Sequence, residues 1–168
     1  MTSLRSVGWA MRLVRAPALL VVCAVGALQA GAQTGVQLTF SGTGSFDAAT
    51  AADFAAGTLD ATSPLPFSVV TTSEPVGSFT TTVYIRSSSS TLGNGKPVSQ
   101  MEWRLGDDPI WHALTTIDAV VETHVAAGAP QGHSWSNAIH FRVALQWAGD
   151  RPATYSGNLV VTVAATKP

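Results

Sequence analysis

The sequence has a single cysteine, only two lysines and few charged residues of any kind. Charged residues make up 11% of the 168 positions, and nine bases and ten acids leave a formal net charge of -1. So small a charged fraction excludes a coiled coil or a long charged helix. The one cysteine is Cys23, so a domain that begins after it has no disulfide, no thiol chemistry and no zinc site built on thiolates.

Residues 1–32 have the pattern of a secretory signal peptide. Three arginines among the first 15 residues are followed by an uncharged apolar run from Ala16 to Leu28, and Ala30-Gly31-Ala32 supplies the small residues that a signal peptidase reads. The alternative is a retained membrane anchor. The run of 13 residues is shorter than the about 20 residues that a spanning helix needs. We therefore expect cleavage after Ala32, export, and no stable membrane anchor afterwards.

Residues 33–168 are predicted to form one domain in the periplasm or outside the cell. These 136 residues are enough to bury a core without disulfides or metals. The cleavage would divide the charge into +3 on the leader and -4 on the domain, where six bases face ten acids. An acidic domain of this kind excludes a basic nucleic-acid-binding surface.

Apolar and polar residues alternate along much of the domain, as is typical of half-buried β-strands. Clear alternation occurs at 36–40, 79–86, 101–105, 139–147 and 159–163, and weaker alternation at 67–72 and 119–125. With turn residues between the segments, the pattern predicts an all-β, antiparallel two-sheet sandwich of about seven to eight strands. Trp103 and Trp147 share the inward phase and are predicted to lie in the core.

Two segments depart from the strand pattern. The alanine-rich segment from Asp47 to Gly57 predicts a short helix, with Asp47 as its cap and Gly57 as its end. The segment 109–119, which has a proline at its start, predicts one or two helical turns. Both segments are too short for the alternation of strands and helices that an α/β fold requires.

The histidines are the first candidates for chemistry, and the sequence has four: His112, His124, His133 and His140. A metal site would combine His133 and His140 with an aspartate at 107, 108 or 150, but the spacing contains no metal-binding motif. His124 and His140 fall on the polar phase of predicted strands, where we expect solvated side chains. We therefore predict no metal and no cofactor.

Motifs for catalysis are missing as well. The sequence has no Gly-x-Ser-x-Gly elbow for a nucleophilic serine. Glu102 and Glu122 lie on the polar phase of separate predicted strands, and they would act as a glycosidase pair only if the two strands face each other. The Gly42-Thr43-Gly44 segment lacks the basic residue of a phosphate-binding loop. We expect a protein without enzymatic activity.

Tryptophan provides the candidates for ligand binding. Trp111 and Trp135 lie in less regular, polar-flanked segments, and exposed indole rings stack on sugars or anchor protein interfaces. His133 and Asn137 lie close to Trp135 in the sequence. One hypothesis is therefore a ligand-binding site, with glycans as the candidate ligand, that uses these four residues. The alternative is that the tryptophans close the ends of the sandwich.

The C-terminal 30 residues carry a resemblance to known proteins. The strand Arg142–Trp147 is followed by the loop Ala148–Ala153, and Thr154-Tyr155 then leads into a final Val/Thr strand. This segment resembles the closing hairpin of bacterial exported immunoglobulin-like sandwiches, such as the spore coat U-like and fimbrial-adhesin-like surface proteins. The resemblance implies an immunoglobulin-like fold and an extracytoplasmic structural or assembly role. The chain differs from chaperone–usher pilins because it lacks their cysteine pair and their terminal aromatic signature.

An edge strand is the predicted means of contact with partners, which would be copies of this chain or other envelope proteins. The strand 36–40 follows closely after the cleavage site, and its alternating side chains suit donation to a neighbour by β-augmentation. The alternative is that it pairs within its own sheet as the first strand. The preferred function is that of an exported structural or surface-assembly protein, with a ligand-binding module as the alternative.

Overall fold

The computed structural model describes residues 20–23, 35–72, 78–127, 134–153 and 155–166. Nearly all regular structure within these ranges is β-strand, with one short helix and one 3-10 turn at Val98–Gln100. The elements in chain order are β1 (Leu20–Cys23), β2 (Gly35–Phe40), α1 (Ala51–Ala56), β3 (Thr58–Asp60), β4 (Leu65–Thr72), β5 (Ser78–Ser87), β6 (Met101–Leu105), β7 (His112–Ala113), β8 (Ala119–Ala127), β9 (Ser134–Ala144) and β10 (Asn158–Thr166).

The strands form two sheets that pack face to face. The large sheet has the order β2-β4-β9-β6-β7, and β3 also pairs with β9. The small sheet has the order β1-β10-β5-β8. Neighbouring strands are antiparallel throughout, except that β1 runs parallel to β10. This arrangement confirms the predicted all-β antiparallel sandwich.

The strand 36–40 belongs to the large sheet of its own chain. As part of β2 it pairs antiparallel with β4, with Leu38 opposite Val69 and Phe40 opposite Phe67. Both Leu38 and Val69 are buried. This is the arrangement expected if the strand is not donated to a neighbour.

The core lies between the inward faces of the two sheets. Alternate residues of each strand enter it because side chains alternate between the two faces of a strand. Each fully buried Leu, Val, Ile or Phe side chain contributes about 1.5–3 kcal/mol relative to exposure. The most deeply buried apolar side chains on the strands are Leu65, Phe67, Val69, Val83, Ile85, Met101, Ile139, Phe141, Val143, Leu159 and Val161.

Of the two tryptophans predicted in the core, only one lies there. Trp103 in β6 is buried, with 3% of its surface exposed. The prediction is wrong for Trp147, which is 66% exposed and contacts Phe54 with ring centroids 4.9 Å apart. The alternation stops because β9 ends at Ala144. The backbone N–H of Gln146 then donates to the Asp150 carboxylate at 2.7 Å, which begins a turn.

The predicted helix forms, but with a different cap. Thr50, not Asp47, precedes α1, and its Oγ1 accepts a hydrogen bond from the Asp53 N–H at 3.4 Å. The Asp53 carboxylate accepts in return from the Thr50 N–H at 2.8 Å, which completes a capping box. The helix ends at Gly57 as predicted, because Gly57 adopts the left-handed conformation at φ 76°.

The segment 109–119 contains no helix, so that prediction is wrong. It holds β7 instead, in which His112 pairs with Trp103 of β6. The N–H of Leu114 donates to the Met101 carbonyl at 2.8 Å. The Ile110 N–H donates a hydrogen bond to the Asp108 carboxylate at 2.9 Å, which closes a tight turn. A side-chain turn of this kind competes with helical hydrogen bonds.

Most of the predicted leader lies outside the described residues. The exception is β1, whose residues lie opposite Asn158–Val161 of β10. Within the ranges that the structure describes, no helix has the length and apolar character needed to cross a bilayer.

Candidate functional site

A β-bulge in β8 determines which of its side chains face the core. The register between β5 and β8 shifts after Val83, so that Val83 lies opposite Glu122 while Tyr84 lies opposite Val120. The extra residue, Val121, is buried at 8% exposure. A one-residue shift sends every later side chain to the other face of the sheet. Glu122 and the residues after it therefore lie on the opposite face of the sheet from the one that regular alternation predicts.

Because of this shift, Glu122 and His124 lie on the inward side of β8, opposite Val83 and Thr81. His124 therefore does not lie on the outward phase expected for it, although 36% of its side chain remains exposed to solvent. His124 lies opposite Thr81, which is fully buried. His124 Nε2 lies 2.8 Å from Glu122 Oε1.

Two residues of β9 complete a cluster around Glu122. Trp135 donates its Nε1–H to Glu122 Oε2 at 3.2 Å, and Asn137 donates through Nδ2 to Oε1 at 3.4 Å. The His124 and Trp135 rings are stacked with centroids 4.1 Å apart. The four side chains form what we call the inter-sheet cluster: Glu122, His124, Trp135 and Asn137. It joins β8 of the small sheet to β9 of the large sheet.

The inter-sheet cluster is built to connect the sheets. Both oxygens of the Glu122 carboxylate already accept hydrogen bonds from groups of this chain. Partly buried carboxylates need such donors to offset the loss of hydration. Trp135 also packs against the core. This is the geometry expected if Trp135 closes one end of the sandwich.

Trp111 lies in a different environment, on the outward face of the large sheet. Its ring centroid is 4.3 Å from Cζ of Arg142 and 4.9 Å from Cζ of Arg104. These arginines alternate with the buried residues of β9 and β6, so their side chains leave the sheet on the solvent side. Arg142 Nε donates to Glu102 Oε2 at 2.5 Å. We call Trp111, Arg104, Arg142 and Glu102 the outer cluster.

The structure thus separates the residues that the sequence grouped as one ligand site. Trp135 and Asn137 belong to the inter-sheet cluster, Trp111 belongs to the outer cluster, and His133 lies outside the described residues. Sequence reasoning missed Glu122 and His124 as inward-facing residues. The one available signal was the pair Val120-Val121, which interrupts the alternation of apolar and polar residues.

Several candidate metal ligands and both glutamates of the candidate carboxylate pair contact other groups of this chain. Within the described ranges, no group of three His, Cys, Asp or Glu side chains could hold a metal ion. Asp150 binds Lys96, and Asp108 closes the turn at Ile110. The Glu102 side chain pairs with Arg142 on the outward face of the large sheet, whereas the Glu122 side chain lies between the two sheets. The two glutamates therefore do not face each other.

The closing hairpin contains a buried ion pair and a buried tyrosine. Lys96 Nζ contacts both carboxylate oxygens of Asp150 at 2.6 Å. Tyr155 is 1% exposed and donates its hydroxyl to the Arg151 carbonyl at 3.1 Å. A surface recess of about 530 Å³ lies beside the ion pair, with Gln100 and Gln146 in its wall. The ammonium and carboxylate neutralise each other, so the recess offers no unpaired charge from this pair.

Comparison with known proteins adds no relative: no family model, no curated protein and no solved structure matches the chain.

Proposed function

We propose that the chain is an exported, non-enzymatic structural protein of the bacterial envelope that assembles with copies of itself through an edge of the small sheet. The observation that carries the proposal is the parallel pairing of β1 with β10. The residues of β1, Leu20–Cys23, belong to the predicted signal peptide. A segment that export would remove therefore occupies one edge of the sheet.

Removal of β1 would leave β10 without a hydrogen-bonded strand on that side. On its other side, β10 pairs with β5 from Leu159 to Thr166. The edge of a sheet presents unpaired N–H and C=O groups that readily accept another strand. A strand from a second copy would satisfy these groups by β-augmentation.

The side chains of β10 favour a covered edge. Leu159 and Val161 are fully buried, and Val163 is half-buried against the same core. The edge strand β2 of the large sheet lies beside β10, so an incoming strand would meet the margins of both sheets. Such a strand would protect the apolar residues that an open edge brings close to water.

The opposite edge of the small sheet provides the matching surface in the next copy. β8 exposes two apolar residues, Val120 at 55% and Val125 at 71%. Pairing of β8 in one copy with β10 in the next would continue the sheet from head to tail, and contacts of this kind build filaments when they do not close into rings. The resemblance of the closing hairpin to fimbrial-like surface proteins supports the same role.

The oligomeric state of the exported protein tests the proposal. We expect size-exclusion chromatography with light scattering to show oligomers that grow with concentration. Val163→Lys places a charge that points inward at the β10 edge, a device that blocks strand addition, and should give a monomer. Val160→Lys, on the outward face of the same strand, is the matched control and should still assemble. A wild-type protein that is monomeric at every concentration, or a Val163→Lys variant that assembles normally, would contradict the proposal.

Export is tested separately. Mass spectrometry of the protein from the periplasmic or culture fraction should give a mature N-terminus at position 33. Full-length protein confined to the cytosol would contradict the export part of the proposal.

A further inference from the structure

We propose that the outer cluster is a binding site for glycans that carry carboxylate groups, such as chains of uronic acids. Trp111 stacks on a sugar ring and Arg104 pairs with its carboxylate. This site lies on the large sheet, so it is independent of the assembly edge at β10.

The charges of the outer cluster single out Arg104 as the available cation. Arg142 already pairs with Glu102, and Asp60 of β3 lies opposite Arg142 in the sheet. In contrast, no carboxylate of the described residues lies within 4.0 Å of Arg104. Arg104 is therefore the cation here whose charge is not neutralised by a neighbour.

The hydrogen bonds of Arg104 are also incomplete. Its Nη1 donates to the Asp108 carbonyl at 3.2 Å. Its Nε is buried and, among the described residues, has no hydrogen-bond partner. A guanidinium group has five N–H donors arranged to bind a carboxylate in a bidentate manner. A ligand carboxylate at the terminal nitrogens would supply a counter-charge and acceptors for the N–H groups there.

The tryptophan supplies the second contact that a sugar requires. Indole faces stack on the apolar faces of sugar rings, and the ring also supplies a large apolar contact area. Trp111 is half-buried, and the guanidinium groups of Arg104 and Arg142, which leave the same face of the large sheet, contact its ring and fix its position. Its neighbours Ile110, which is 59% exposed, and His112 are open to solvent. An aromatic ring held rigidly on an open sheet face suits an extended chain of sugars.

Further polar side chains around Arg104 suit a hydroxylated ligand. His140 lies directly opposite Arg104 on β9, with its side chain half-buried on the outward face. Its ring nitrogens can donate to or accept from sugar hydroxyls. The combination of one unneutralised cation, one aromatic ring and flanking polar groups favours an acidic sugar over a neutral one.

Binding of tri-galacturonic acid to the exported protein tests this inference. Isothermal titration should show saturable binding, and the neutral tri-galactose should bind at least tenfold more weakly. Raising the salt concentration should weaken the acidic ligand more than the neutral one, because exposed charge pairs are screened. Arg104→Gln and Trp111→Ala should each reduce the affinity at least tenfold. Arg104→Lys, which keeps the charge but loses the bidentate geometry, should give an intermediate affinity.

The control is Arg86→Gln, which makes the same substitution at an exposed arginine of the small sheet and should leave binding unchanged. Near-UV circular dichroism of each variant establishes that it is folded. Absence of saturable binding by the folded wild type would overturn the inference. So would equal affinity for the acidic and neutral trisaccharides, or unchanged affinity in both Arg104→Gln and Trp111→Ala. None of these results depends on the oligomeric state.

Discussion

The buried ion pair between Lys96 and Asp150 should make the closing hairpin sensitive to the loss of either partner. It joins the turn after β5 to the turn between β9 and β10, which are 54 residues apart in the chain. The ammonium group contacts both carboxylate oxygens at 2.6 Å, and the two side chains are only 5% and 10% exposed. Asp150 also accepts the backbone N–H of Gln146 at 2.7 Å. Substitution of Asp150 by alanine removes all three contacts at once.

The expected loss follows from what remains after the substitution. In Asp150→Ala the Lys96 ammonium stays buried without a counter-charge, and removal of one partner of a buried pair costs about 3–5 kcal/mol. For a domain of this size each kcal/mol lowers the melting temperature by about 3 °C. We therefore expect Tm to fall by about 9–15 °C. The additional loss of the Gln146 hydrogen bond favours the upper part of that range.

Urea unfolding followed by tryptophan fluorescence measures this loss, and Asp118→Ala is the matched control. Asp118 pairs with Arg86 at 3.3 Å, but the two side chains are 53% and 38% exposed. An exposed pair of this kind contributes about 0–1 kcal/mol. In a double-mutant cycle, Lys96→Ala with Asp150→Ala should lose less than the sum of the single losses, because no uncompensated charge remains. Equal losses in Asp150→Ala and Asp118→Ala, or strictly additive losses in the cycle, would refute the reasoning.

Two further substitutions test the hairpin and the helix. Burial and then the Asp150 charge raise the pKa of Tyr155 above 10.0, so stability present below pH 10 should decline as the pH rises further. Tyr155→Phe should lose about 0.5–1.5 kcal/mol with the Arg151 hydrogen bond and show less of this decline in urea unfolding at pH 9–11. Thr50→Ala should cost about 1 kcal/mol at pH 7. Hydrogen bonds from Thr50 lower the pKa of Asp53 from 3.8. Below that pH, thermal unfolding should therefore show a smaller difference in stability between the wild type and Thr50→Ala than it shows at pH 7.

The regular strands were predictable because their inward residues alternate without interruption. From Ile139 to Leu145 every second residue is buried, and the sequence shows that period directly. Trp147 continues the same period in sequence and nevertheless lies outside the core. The reason is a turn closed by Asp150, whose carboxylate contacts Lys96 across a long loop. A periodicity argument contains no information on such a distant contact.

The candidate site was less predictable because two tertiary features determine it. The bulge at Val121 reverses the faces of Glu122 and His124, and a bulge depends on the register with β5 as well as on the local sequence. The outer cluster depends on β6 and β9 being neighbours, which makes Arg104 and Arg142 diagonal neighbours on one face of the sheet although they are far apart in the chain. The sequence identified Trp111 as a candidate, but it did not indicate that arginines surround it.

The two proposed interaction surfaces lie on different sheets, and this separation has a consequence for binding. Assembly through β10 extends the small sheet and leaves the outward face of β6 and β9 uncovered. Each added copy would therefore bring another outer cluster into the same array. When several sites act on one polymeric ligand, the overall affinity exceeds that of a single site by about 10²–10⁴-fold. A trisaccharide that spans one site should consequently bind wild type and Val163→Lys equally, whereas a long polyuronate should bind the assembled wild type far more tightly than the monomeric variant.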